Sequence, residues 1–391
     1  MKSYNILLAA VFIYAGILYS DDDSFERIAA PIAPRNIQVL LEKEITEALI
    51  EVKGSYNLFN PQDGSRISSG LLGKRFIIRE TENGLKWGEE FPGIHQIYIQ
   101  PRGAHSSIFV NGIQYSGSMA IFGVTGMINV VNDIDIESYV QSVLATQFST
   151  PLEPEVMASL AILIRTNAYY HALNNPLSHW HILGSFNKYS GSALIASNSP
   201  ALRAANTTRH LILVHPRDDR LLPFPATWTE HCAGKTARYD TVFRVNTDVL
   251  DKGVDAPHAA LTRQDTKWTY QISKKSFARM LEIAQIKSME VFTDAPSNKA
   301  YGLRIKDAEE THDIDFLTLQ NLLGATHLLS SDFTVSLKED SVQFTGFGKG
   351  HGVGLCLYSA SALAQNGENA VKILAKFFPE ASLYNLNALP D

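Results

Sequence analysis

Cysteine is scarce: the chain of 391 residues holds two, Cys232 and Cys356, far apart in sequence. That excludes a disulfide-stapled scaffold and leaves folding to an apolar core. In an exported chain an even pair can form one bridge, but nothing in the spacing shows that the two meet. An excess of positive charge is also missing. The 34 Lys and Arg against 40 Asp and Glu leave a formal net charge of -6. No basic stripe stands out, so nucleic acid is not an expected partner, whereas uncharged partners such as sugars stay open. Internal repeats and low-complexity tracts are absent, and charged residues make up 19% of the chain. A hydrophobic share of 45% is enough to bury a sizeable core and argues against wholesale disorder.

The N-terminus carries an unbroken apolar run from Ile6 to Tyr19, preceded by Lys2 and followed closely by Asp21, Asp22 and Asp23. That is the layout of a secretory signal over residues 1–23, with a Pro-containing linker over 24–36. The run is shorter than the roughly 20 residues a comfortable membrane span needs. Leu18, Tyr19 and Ser20 fit the small-x-small cleavage rule poorly, so a removed signal and a short uncleaved anchor both stay open. Export to the periplasm or cell envelope is the expectation, with membrane contact only through this segment.

Beyond it, residues 37–120 read as a β-rich part. Leu72 to Arg79, Gln96 to Gln100, Ser107 to Val110 and Met127 to Val131 are short and apolar or alternating, and Asn111-Gly112 is a hairpin signal. The period then changes to helical from about Pro154 to Leu173, with Val156, Leu160, Leu163 and Ile164 on one stripe and Pro154 suited to the first helical position. Further helices are expected from Lys275 to Ala284, Phe316 to Leu323 and Tyr358 to Asn366, and strands at Leu211 to His215, Ala226 to Trp228 and Ser341 to Thr345. The predicted class is α+β: a β-rich N-terminal part followed by a mixed α/β region over 121–388, with one continuous domain an open alternative.

Three separated segments carry sharper patterns. The first is NDIDIESYVQSVLATQFSTPLEPEVMASLAILIRTNAYYH, from Asn132 to His171; the second is TWTEHCAGKT, from Thr227 to Thr236; the third is GFGKGHGVGLCLYSASALAQNG, from Gly346 to Gly367. In order and in content they resemble the SpoIID/LytB family of exported cell-wall proteins. Asn132, Glu137, Tyr139, Val143, Arg165 and Thr166 fall in place in the first motif. The glycine-rich segment is the most specific of the three. Without the resemblance, its alternate glycines would suggest a phosphate cradle, but no Lys-Ser/Thr follows in register and no βαβ unit precedes it.

The resemblance implies lytic transglycosylase chemistry on peptidoglycan glycan strands stripped of their peptides, in the course of cell-wall remodelling. One general acid would protonate the leaving oxygen, and the MurNAc 6-hydroxyl would close on the anomeric carbon to leave a 1,6-anhydro end. The family's catalytic Glu aligns with Gln147, and an amide cannot donate an acidic proton. Glu153 and Glu155, at the start of the following helix, are the nearest replacement carboxyls, although acidic residues there are explained by the helix macrodipole alone and would be poor acids. Two functions follow: a lytic enzyme with a displaced acid, or a catalytically silent glycan-binding protein that recruits or regulates an amidase or other wall enzymes. The resemblance assigns Arg165, Thr166, Tyr189, Cys232, Gly350, His351, Gly352 and Gly354 to substrate binding, with Arg165, Cys232 and His351 expected to line one cleft. No cofactor is expected to be required, and zinc stays open as an alternative. Some family members hold zinc with one His and two Cys; the matching stretch here offers His171, His179 and His181 and no cysteine, in a spacing unlike a standard zinc motif.

Overall fold

The structure is a computed structural model that describes residues 34–387 except 186, 187, 193, 194, 197, 218, 219, 246–252 and 309. The expected signal and nearly all of the expected linker lie outside the described residues. The chain begins strand after strand: β1 (Asn36–Ile45), β2 (Glu47–Phe59), β3 (Arg66–Gly70), β4 (Lys74–Thr81), β5 (Gly84–Trp87), β6 (Glu89–Pro92), β7 (Gln96–Val110), β8 (Ile113–Tyr115), β9 (Ser118–Val124) and β10 (Met127–Asp135). Two helices follow, α1 (Ile136–Gln147) and α2 (Pro154–Asn174), then β11 (Ile182–Leu183), α3 (Pro200–Thr207), β12 (Leu211–Arg217), β13 (Arg220–Leu222) and β14 (Trp228–Thr229). The next stretch holds α4 (Tyr239–Phe243), α5 (Pro257–Leu261), β15 (Trp268–Ser273), α6 (Lys274–Met280), β16 (Ser288–Asp294), β17 (Lys299–Lys306), β18 (Thr311–Asp315), α7 (Phe316–Leu323), β19 (Phe333–Leu337) and β20 (Ser341–Gly346). The chain closes with β21 (Leu355–Cys356), α8 (Leu357–Gln365), α9 (Ala370–Phe377) and β22 (Ser382–Asn385). The α+β expectation is met.

The first ten strands and β11 form one sheet in the order β11-β1-β10-β9-β7-β2-β4-β5-β6, with β3 added to β2 and β8 to β7. Alternation puts Ala48, Ile50, Val52, Tyr56 and Leu58 of β2 on the buried face. On β7 the buried set changes parity, from Ile97 and Ile99 to Ile108 and Val110. A strand without a defect could not do that, because side chains alternate faces strictly. The defect is found where Lys53 pairs with Ser107 but Ser55 pairs with Arg102, a bulge that returns the apolar residues to the core side. The Asn111-Gly112 hairpin forms as expected, with φ 50° and 85° at the two central residues, the left-handed pair that a tight two-residue turn needs.

Asp135 starts α1 by accepting a hydrogen bond from the Ser138 N–H at 3.1 Å. Helix α2 is buried on most of its circumference, and α1, α3, α8, α9, β1 and β12 pack round it. It is the central helix of the first core, which joins the large sheet to the helices. Strand β9 runs through residue 120, with Met119 and Ile121 in that core and Ala120 and Phe122 in a small cluster with Leu40 and Val131. A second core gathers residues between Ala237 and Val353, from β15 to β20, α6 and α7.

Several residues expected to bind substrate are packed into the first core. Arg165, with no exposed surface, binds Glu137 through Nε at 2.8 Å and Nη2 at 2.7 Å, and donates to the carbonyls of Ala205 and Leu211, each at 3.1 Å. Thr166 Oγ1 donates to the Ile162 carbonyl at 2.7 Å and accepts from the Leu213 N–H at 2.8 Å, tying α2 to β12. The Tyr189 hydroxyl donates to Asn132 Oδ1 at 2.6 Å, while the Asn132 amide donates to the carbonyls of Ser116 and Ser118. The expectation that Arg165, Thr166 and Tyr189 face a ligand is corrected: each has its polar atoms engaged by the protein itself. Glu137→Gln should destabilise the fold by about 3–5 kcal/mol, since it leaves a buried guanidinium without its counter-charge. A double variant, Glu137→Leu with Arg165→Met, should lose less than the sum of the single losses. Urea unfolding midpoints of Glu137→Gln, of the single variants Glu137→Leu and Arg165→Met, and of the double variant check both statements.

Candidate functional site

The second and third motifs interlock. Strands β14 and β21 pair in parallel, Trp228 with Leu355 and Thr229 with Cys356. His231 and Lys349 exchange two backbone hydrogen bonds at 2.9 Å each. Gly348 and Gly354 have φ of 78° and 74°, and a Cβ on either would run into a backbone carbonyl, that of His231 and Thr227 respectively. Gly350 meets the Thr229 hydroxyl and Gly352 the buried stem of Lys299. The glycines therefore permit two chain segments to touch; their absent side chains face protein.

Beneath the loop lies a charged knot. Asp332 accepts from Lys299 Nζ at 2.8 Å and from both terminal nitrogens of Arg263 at 2.6 and 2.9 Å. Lys299 and Asp332 are buried, so each needs the other. Arg263 also donates to the Ala233 carbonyl at 2.8 Å, and its guanidinium lies 4.2 Å from the Phe347 ring centre. One ion cluster thus holds both motifs to β17 and to the turn at 263–266.

A cleft of about 850 Å³ opens on one side of this joint. Gln147, the last residue of α1, lines it together with Phe148, Glu230, His231, Asp265, Lys267, Lys349, Tyr358 and Ser361. Glu230 and Lys349 form an ion pair at 2.8 Å across the two motifs, both side chains more than half exposed. His231 Nδ1 accepts the Ala233 N–H at 3.1 Å, which assigns the hydrogen to Nε2, 3.1 Å from Thr262 Oγ1. Burial lowers the His231 pKa and keeps the ring neutral, with Lys299 and Arg263 adding to the effect. The cleft therefore offers an amide, two carboxylates, two ammonium groups, a neutral imidazole, a phenol and a hydroxyl.

Of the residues expected to bind or cut, Gln147 is the one on this cleft. Glu155 accepts the Ala370 N–H at 2.7 Å at the start of α9, and Glu153 accepts from Gln365 of α8 at 2.6 Å. Hydrogen bonding, first from Ser361, lowers the Glu153 pKa against its burial, the wrong direction for a general acid. Cys232 is buried behind the cleft wall, next to Cys356. His351 is not among the residues lining it; its ring meets the Thr227 hydroxyl and the Phe243 ring. The expected common cleft of Arg165, Cys232 and His351 is not formed, since Arg165 belongs to the first core. Glu230, Asp265 and Lys349 were not foreseen. Glu230 and Lys349 sit inside the second and third motifs, and they follow as a pair once those motifs are known to lie side by side.

The three candidate zinc histidines all line another hollow, of about 580 Å³. His181 Nδ1 already accepts the Gln38 N–H at 3.1 Å, and the His179 ring packs 4.4 Å from that of Phe122. Among the described residues no group of three or more His, Cys, Asp or Glu is arranged to hold a metal ion. Both cysteines lie elsewhere, so the donor set does not fit the family's zinc.

The profile of the SpoIID family, described as stage II sporulation protein, matches residues 124–215. An uncharacterised protein of Chlamydia muridarum is 35% identical over 221 residues, which are 55% of this chain and 77% of that protein. One of Chlamydia pneumoniae is 31% identical over 218 residues, 54% of this chain and 79% of its own. One of Brachyspira hyodysenteriae is 27% identical over 344 residues, 86% of this chain and 90% of its own. The chain belongs to the SpoIID family, and that domain suggests a cell-wall related role.

His351 gives the site a pH signature. Its Nδ1 accepts the Val353 N–H at 3.1 Å, and burial takes the pKa from 6.5 down to about 4. The unfolded chain therefore takes up the proton first, so the stability that depends on a neutral ring is complete above about pH 6.5 and is lost as pH falls to about 4, up to about 3 kcal/mol. His351→Gln should flatten that stretch of the stability-against-pH curve, read from urea midpoints. Gly354→Ala should cost several kcal/mol, about 3 or more, from a clash at a left-handed position, and a fall in the thermal midpoint checks it.

Proposed function

We propose that the protein is exported to the cell envelope and binds peptide-stripped glycan strands in the cleft beside Gln147, without cutting them efficiently. The observation that carries this reading is Gln147 itself. It lines the cleft at the position where the family pattern has its catalytic Glu, and an amide keeps the hydrogen-bonding reach of a carboxyl group while lacking its acidic proton. Hydroxyls and N-acetyl groups of the sugars suit the mixed donors and acceptors of the wall, and Tyr358, 43% exposed, offers a ring face. Stripping the peptide from MurNAc leaves a lactyl carboxylate, which Lys267 or Lys349 could meet. An amidase would supply such strands.

Cleavage would need a group that protonates the glycosidic oxygen and a base for the MurNAc 6-hydroxyl. Glu230 and Asp265, both on the cleft wall, favour a second reading in which one of them replaces the missing acid. Incubating the full chain with denuded glycan separates the two. Under the first reading the wild type co-sediments with the strands and yields few anhydro-MurNAc ends by mass spectrometry, while Gln147→Glu raises their formation by about 10²–10⁴-fold. Rapid wild-type cleavage that disappears in Glu230→Gln or Asp265→Asn would establish the second. A wild type that neither retains nor cuts the glycan, with Gln147→Glu inert, removes both.

A further inference from the structure

The two cysteines lie 124 positions apart and meet. The Cys232 N–H donates to Cys356 Sγ at 3.3 Å, and both residues are buried. The two thiols are close enough for each to shift the titration of the other. The site is the joint between the second and third motifs, because Cys356 is the strand residue paired with Thr229 and also the residue that starts α8. From the same two segments Glu230, His231, Leu357 and Tyr358 reach the cleft.

We propose that Cys232 and Cys356 form a reversible disulfide that bonds the cleft wall of the second motif to the start of α8. This inference does not depend on what the cleft binds. The two thiols are unlike. The Cys232 thiol, followed by the amides of Ser359 and Cys232, favours a thiolate on Cys356 and holds its pKa down at about 6, whereas the hydrogen bond to Cys356 and burial push Cys232 up. A sulfur at a helix start is the better nucleophile of such a pair. The oxidant is a disulfide donor, R–S–S–R. The Cys356 thiolate attacks it, forming a mixed disulfide and releasing one R–SH. The Cys232 sulfur then displaces the second R–SH, so two thiols are oxidised and one disulfide is reduced. Burial confines this exchange to folding or to local opening, and it shields the finished bond.

The test uses the full chain, held native or refolded from urea in a glutathione/glutathione-disulfide buffer. After an acid quench the chain is alkylated in denaturant without reductant, then digested. The expected result is a chain with no alkylated cysteine, one peptide pair linking Cys232 to Cys356, and a thermal midpoint about 5 °C or more above that of the dithiothreitol-treated chain. Cys356→Ser should leave Cys232 alkylated and abolish the difference between the two buffers. If that variant does not fold, the wild type in the two buffers still decides. Two alkylated thiols after refolding in the glutathione buffer, or disulfides only between chains, would overturn the proposal.

Discussion

A guanidinium with no access to water must find acceptors for all of its N–H groups, and Arg165 finds them on four elements. Glu137 comes from α1, the Ala161 carbonyl from α2, the Ala205 carbonyl from α3 and the Leu211 carbonyl from β12. Removing any one of these elements would leave a buried charge partly unmet, a penalty of several kcal/mol. The ion pair therefore fixes the direction of α1 against α2. Gln147 is the last residue of α1, so its place on the cleft follows from a salt bridge ten residues earlier, between groups that never touch the cleft. The position of Gln147 depends on the core arginine even though the arginine does not line the cleft.

This separation explains where sequence reasoning succeeded and where it did not. Periodicity gave both ends of α7, and α2 and α8 to within a residue, because apolar stripes and terminal signals such as Pro154 are local. Strand β7 appeared in sequence as two fragments, Gln96 to Gln100 and Ser107 to Val110, where the structure has one strand. The interruption is the bulge, whose polar stretch resembles a loop. Arg165, Thr166 and Tyr189 were misread for a different reason. A polar residue in or between motifs looks functional in sequence whether it meets a ligand or another buried residue, and only partners far along the chain distinguish the two. Asn132 and Tyr189, 57 positions apart, are such a case.

The glycine segment makes the same point about spacing. Alternate glycines suggested a loop that approaches a ligand. What approaches is residues 227–233, with the carbonyls of Thr227 and His231 occupying the space that side chains would need. The close contact lets Lys349 reach Glu230, and it brings Cys356 to Cys232. Cleft and thiol pair are thus two faces of one joint, and neither could be deduced from a single motif.

The charge balance of the cleft bears on what it can hold. Glu230 and Asp265 are offset by Lys267 and Lys349, leaving no formal excess on the wall, which disfavours densely charged phosphate backbones such as nucleic acid that need a cationic surface. Beneath the wall, Asp332 faces two cations, and the residual positive charge there helps to keep His231 unprotonated. A neutral imidazole, an amide and an ion pair at one surface can donate to and accept from a sugar's hydroxyls without a change of protonation. The same arrangement shows what replacing a carboxyl group by Gln147 removes. Hydrogen bonding at that position survives the exchange, whereas proton transfer from it does not, so recognition and chemistry become separable at a single side chain.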